Sequence, residues 1–230
     1  MAALTPEYII FGGGAPVDWV LASFAGSFLI AVNTVFAKRI LMVHVPGVSG
    51  YMGLVGVIWV TIGALILLAM PWQPGTSSIA VAWAIVSGLC QGVSFLLTLT
   101  ALRKLEISRV VAASHTYPVF VAIMAITFLG ERLSVLHWIA IVLVAAGGGL
   151  VMVRQKRVTV GSGRRVAIAF VFLASVAIAL GMFTLKMALN EMDFWNVLGL
   201  RSVCFGAVFL SLGLTPQGLR QVKVILGNRT

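Results

Sequence analysis

Seven apolar runs decide what this chain can fold into. They lie near residues 19–37, 48–70, 78–102, 110–129, 135–153, 166–185 and 195–214. A helix needs about 20 mostly apolar residues to cross about 30 Å of hydrocarbon. Within the bilayer there is no water to bond a stray N–H or C=O, so a run of this kind must be helical. The rest of the composition agrees: 60% of the 230 residues are hydrophobic, 10% are charged, and mean hydropathy is +1.09. Soluble domains carry about 25% charged residues. A water-soluble fold has too little polar surface here to cover its apolar side chains. The expected fold class is therefore all-α, a polytopic transmembrane protein of about seven helices.

Charge gives the orientation. Thirteen of the sixteen Lys and Arg residues fall on one side of the expected membrane. They are Lys38 and Arg39, then Arg103, Lys104 and Arg109, then Arg154, Lys156, Arg157, Arg164 and Arg165, then Arg220, Lys223 and Arg229. The other side has Arg132 and Lys186, with Arg201 inside the seventh run. The positive-inside rule puts the thirteen in the cytoplasm and the N-terminus outside. A pI near 10.7 would point to nucleic acid in a soluble protein. Here the basic residues sit between spans, where they orient helices, so nucleic acid is not an expected partner. Residues 1–18 contain no Lys or Arg, so no cleaved signal peptide is expected.

The stretch RQKRVTVGSGRR, residues 154–165, separates two related sequences. At an offset of 148, Phe172 falls on Phe24, Ser175 on Ser27, Ile178 on Ile30, Ala179 on Ala31, Lys186 on Lys38 and Leu189 on Leu41. The expected organisation is a tail (1–18), a complete five-helix unit (19–153), a basic linker (154–165) and the start of a second unit (166–230). Five is odd, so successive units cross the membrane in opposite senses. Inverted repeats of this kind recur in secondary transporters.

The fourth run, HTYPVFVAIMAITFLGERLS, carries polar punctuation. Pro118 removes a helix hydrogen bond and frees backbone groups beside Ser114, His115 and Thr116. A moving cavity wall and a static kink satisfied locally both fit that pattern. Gly130 can end the helix with a left-handed residue. Glu131 is read either as a boundary marker or as a coupling carboxylate. In the third run Ala80, Ala84, Gly88 and Gly92 recur every four residues, a row that lets a second helix come close. Beside it run Ser87, Gln91, Ser94 and Thr98. They line a substrate path or bond to neighbouring helices. Asn33, His115 and Tyr117 complete the substrate-path candidates. Arg201 either snorkels back or pairs inside. Cys90 and Cys204 read as small core residues. No His, Cys, Asp or Glu cluster has ligand spacing, and nothing resembles a catalytic constellation, so neither metal, cofactor nor enzymatic activity is expected.

Residues 108–153, SRVVAASHTYPVFVAIMAITFLGERLSVLHWIAIVLVAAGGGLVMV, resemble the end of an EamA-type repeat of the drug/metabolite transporter superfamily. The likeness rests on the small residues before Tyr117-Pro118-Val119-Phe120, on Gly130-Glu131-Arg132, and on the closing Gly147-Gly148-Gly149. Lys38, Lys186 and Arg201 resemble corresponding positions near repeat starts. The resemblance implies ten helices in two inverted five-helix repeats, and carriers that move small metabolites or drugs, commonly outward. This sequence departs from that in having seven runs and an N-terminus placed outside. The expectation is alternating access about a mid-membrane site lined by runs 1, 3, 4 and 6, in a bacterial-type inner membrane. The partners are the lipid bilayer and a small-molecule substrate, and a homodimer is allowed. The rival expectation is a non-transporting membrane fragment or assembly partner derived from such a carrier.

Overall fold

The computed structural model describes residues 18–43, 48–72, 75–114, 116–130, 132–153 and 162–227. Among them are nine helices: α1 (Asp18–Val43), α2 (Val48–Ala69), α3 (Ser78–Leu102), α4 (Ile107–Ser114), α5 (Tyr117–Leu129), α6 (Val135–Val153), α7 (Ser162–Leu189), α8 (Phe194–Gly213) and α9 (Pro216–Gly227). Six segments are long and apolar enough to span a membrane, and α6 adds a shorter apolar stretch, Val135–Gly148. The protein is a polytopic helical membrane protein. The seven runs correspond to α1, α2, α3, α4 with α5, α6, α7 and α8. Ser162–Arg165, which read as linker, form the first turn of α7. The tail adds α9, too short to cross.

Local chemistry sets the helix ends. The Ser77 hydroxyl accepts from the Ile79 N–H at 3.2 Å, and the Asp193 carboxylate accepts from the Trp195 N–H at 3.0 Å. Each satisfies a donor with no partner in its own helix. Gly130 closes α5 at φ 64°, a left-handed conformation that glycine takes without a Cβ penalty. The Gln221 side chain on α9 accepts from the Gly50 N–H in the first turn of α2, at 2.8 Å.

The fold is centred on α8, which lies between α2 and α3. Gly53 of α2 meets Gly213 of α8, Gly56 meets Gly206 and Leu210, and Gly63 meets Gly199 and Val203. One number rises as the other falls, so α2 and α8 run antiparallel. A Cβ on Gly56 would lie 2.8 Å from the Leu210 nitrogen, and one on Gly63 2.7 Å from the Val203 nitrogen. Both are far inside van der Waals contact, so glycine is what lets these backbones touch. The opposite side of α8 meets α3, where a Cβ on Gly88 would lie 2.6 Å from the Arg201 carbonyl oxygen. Along the far side of α3 runs α7; Ala80, Ala84 and Ala188 are buried there with Met192 and Val197. The larger cluster gathers Met52, Leu99, Val110, Val171, Phe205 and Phe209.

The described residues of the fourth run form two helices, one on each side of residue 115. α4 stops at Ser114 and α5 begins at Tyr117. Pro118 therefore sits in the first turn of α5, where a missing N–H leaves nothing unpaired. The carbonyls freed at the end of α4 are met by hydroxyls. Ser114 donates to the Val111 carbonyl at 2.9 Å, and Thr116 donates to the Ala113 carbonyl at 2.7 Å. The buried Ser175 hydroxyl of α7 lies 3.2 Å from the Ala113 carbonyl, 3.3 Å from that of Ser114 and 3.1 Å from that of Val171. All three carbonyls lie within reach of its single proton.

Candidate functional site

The middle of the bundle contains a partly open cavity of about 250 Å³. Its wall is formed by Trp59 on α2, Gln91 and Phe95 on α3, and Leu198, Arg201, Ser202 and Phe205 on α8. Trp59, Gln91 and Arg201 each lie within a turn of the midpoint of their helix. At 1.5 Å per residue, the cavity is therefore near the centre of the spans and far from either end.

Arg201 is the one charged group in that wall. A guanidinium at the middle of a span is costly in lipid, and it is usually turned toward a partner or a watery cavity. The Arg201 guanidinium donates to the Gln91 side-chain oxygen at 3.0 Å. Of the two sequence alternatives, snorkelling back or pairing inside, the structure shows the second. Among the described residues Arg201 makes no ion pair. A guanidinium carries five N–H donors, and the neutral amide accepts one.

The aromatic wall is fixed by its own contacts. Trp59 meets Phe205 edge to face with ring centres 5.2 Å apart, Phe95 meets Phe205 at 5.9 Å, and Phe205 meets Phe209 at 4.5 Å. These are the separations that aromatic pairs prefer. The cavity thus has a cation, an amide and a hydroxyl on one part of its wall and rigid rings on the rest.

The structure sorts the polar stripe of α3 into separate roles. Gln91 enters the cavity. Ser87 is fully buried and donates to the Gly181 carbonyl of α7 at 2.8 Å, bonding α3 to α7. Thr98 donates to the Ser94 carbonyl of its own helix at 2.9 Å, and Ser94 itself is buried. Of the packing row, Ala80 and Ala84 are buried in a cluster with Ala188 of α7 and Val197 of α8, while Gly88 and Gly92 face α8. A Cβ on Gly92 would lie 2.8 Å from the Val208 Cβ. Tyr117 opens α5 and does not line the cavity. Asn33 is exposed on α1, a helix that packs extensively on no other. His115 and Glu131 lie outside the described residues. The expected site between runs 1, 3, 4 and 6 therefore differs from the cavity seen, which is built by α2, α3 and α8.

Sequence reasoning missed Trp59, Phe95, Ser202 and Phe205, and it left Arg201 open. The signal was present in the glycines. Gly199, Gly206 and Gly213 fall every seven residues and mark the α2 face of α8. Arg201, Cys204 and Val208 fall on the face that meets Gly88 and Gly92.

Residues 18–153 match the EamA-like transporter family. A Sinorhizobium sp protein named "Uncharacterized transporter in cobO 3'region" is 32% identical to the chain over 140 residues. That match covers 59% of this chain and 94% of the relative. No solved structure matches.

Proposed function

Given that the chain belongs to the EamA-like transporter family, we propose that it moves small organic solutes across a membrane by alternating access about the α2–α3–α8 cavity. The observation that carries this reading is Arg201 at mid-span, bonded to the Gln91 amide and to no described acid, facing a cavity rather than lipid. A static membrane protein gains nothing from a cation held there, whereas a carrier needs a polar contact at the depth where its solute pauses. The antiparallel α2–α8 pair supports the reading further. It packs a helix of the first expected unit against one of the second along a row of glycines, and rocking of one repeat against the other is how such carriers alternate access. Outward transport and a cytoplasmic linker belong to the same proposal.

The test uses a single cysteine at Ser202 in a background lacking Cys90 and Cys204. An impermeant thiol reagent is applied from one face of the membrane and then from the other. Labelling from each face in turn is expected. Labelling from one face only, unchanged under all gradients, would sink the carrier reading. Single cysteines at Thr76 and Ser162 check orientation in intact cells: position 76 should label and position 162 should not.

A further inference from the structure

We propose that the cavity selects small organic monoanions, a carboxylate joined to an aromatic or bulky apolar body, and disfavours zwitterions and amines of the same shape. This rests on the reading of the cavity as the solute site. Three observations carry it. First, Arg201 brings one positive charge that no described acid offsets, and its guanidinium fork matches the two oxygens of a carboxylate. Gln91 holds the guanidinium through its oxygen at 3.0 Å, which leaves the Gln91 NH₂ and the Ser202 hydroxyl as further donors for the same anion. Second, among the described residues lining the cavity there is no carboxylate. An ammonium group entering with the carboxylate would find no acidic partner there and would lie near Arg201, and burying an unpaired charge is penalised. Third, the remaining wall is Trp59, Phe95, Leu198 and Phe205, a surface for a ring or a branched chain. The volume, about 250 Å³, lies below the range of about 300–1,000 Å³ typical of drug-sized sites. A solute of one ring and a short acid chain fits that scale, and a large amphipathic drug does not.

The experiment measures equilibrium binding to the whole chain in nanodiscs of phosphatidylcholine, which carries no net charge. Phenylpropanoate, phenylalanine and phenethylamine are compared, three probes with the same ring and different charge. Saturable binding of phenylpropanoate is expected, at least about tenfold tighter than phenylalanine, with phenethylamine weaker still. Arg201→Lys keeps the charge and loses the fork, so it should weaken phenylpropanoate by about tenfold and preserve the order of the three probes. Arg201→Gln should abolish the order. If Arg201→Gln fails to fold, the lysine variant and the wild-type order decide the matter alone. Equal binding of all three probes overturns the proposal. So does absence of phenylpropanoate binding in phosphatidylcholine; if nanodiscs containing phosphatidylglycerol then show that lipid in the site, the anion is a lipid headgroup. No transport is needed for this measurement. Failure here with alternating labelling at position 202 removes the solute class alone. Binding without alternation removes the carrier reading alone.

Discussion

α1 and α7 read as counterparts in two related units, yet they live in different surroundings. Phe24 and Phe172 coincide at the offset of 148 and are both outward, 72% and 60% exposed. The next matched pair separates: Ser27 is exposed, and Ser175 is fully buried. Ala31 is exposed and Ala179 is fully buried. Much of the cause lies in the positions that are not identical. The inward face of α7 is small, with Ala174, Gly181, Thr184 and Ala188. The same places in α1 hold Gly26, Asn33, Phe36 and Ile40. A face with Phe36 and Ile40 cannot nest against a neighbouring backbone as α7 nests on α3. The shared identities do not set the surroundings; the small residues between them decide which helix is enclosed. In lipid this matters more than in water, because an apolar face loses nothing by staying outside.

The largest expected effect comes from forcing a side chain into the enclosed seams. Gly56→Leu and Gly63→Leu should each cost about 1–3 kcal/mol or more, since the added carbons meet backbone rather than a movable side chain. Gly88→Leu should cost as much against α8. Gly26→Leu on α1 should change stability by less than about 0.5 kcal/mol, because a Cβ there meets nothing within 4 Å. Thermal unfolding in detergent measures all four. A Gly26→Leu loss equal to that of Gly56→Leu would show α1 packed as tightly as α7, and the comparison would break.

The second effect concerns the break that α7 spans. Pro118 lies in the first turn of α5, and Ser175 of α7 bonds to the last carbonyls of α4. Pro118→Ala offers a continuous helix without removing any hydrogen bond, so membrane-inserted protein should stay constant. Cavity exchange, read by labelling at position 202, should slow by several fold if the break flexes during transport. Unchanged exchange would make the proline architectural. Glu131→Gln is the companion change, and it should leave exchange mostly intact if Glu131 only marks the membrane boundary.

The spans were legible from the sequence because length and apolarity suffice to define them. The helix caps were partly legible: Gly130 was expected to end its helix, whereas Ser77 and Asp193 were not read as caps. The site was legible only in fragments. Gln91 was named, but in one stripe with Ser87, Ser94 and Thr98, which the structure turns to other uses. A stripe at helical spacing covers roughly a quarter-turn of surface, and the rotation of α3 by that amount is set by its contact with α8. Arg201 shows the same limit. Its depth could be counted along the chain, while its direction depended on glycines in α2, far away in sequence. The break at Pro118 was legible as a perturbation. Its completion by Ser175 was not, because the bond spans 62 residues between its donor and the Ala113 carbonyl.

The smallest expected effect isolates that bond. Ser175→Ala removes a buried hydroxyl within reach of the carbonyls of Ala113, Ser114 and Val171. Hydrogen bonds between membrane helices average about 0.6 kcal/mol, and the distances of 3.2 and 3.3 Å to α4 place these at the weaker end. Thr116 already donates to Ala113 at 2.7 Å, so the acceptor is not orphaned when Ser175 is lost. A cost of about 0.5 kcal/mol is expected. Ser27→Ala, its counterpart on exposed α1, should cost nothing measurable. The measurement is a double-mutant cycle with Pro118→Ala. If Ser175 acts by serving the break, the two changes will couple, because closing the break takes away the carbonyls that Ser175 serves. Additive effects would place Ser175 in ordinary packing against its own helix. A Ser27→Ala cost equal to that of Ser175→Ala would return α1 and α7 to the equivalence their sequences first imply.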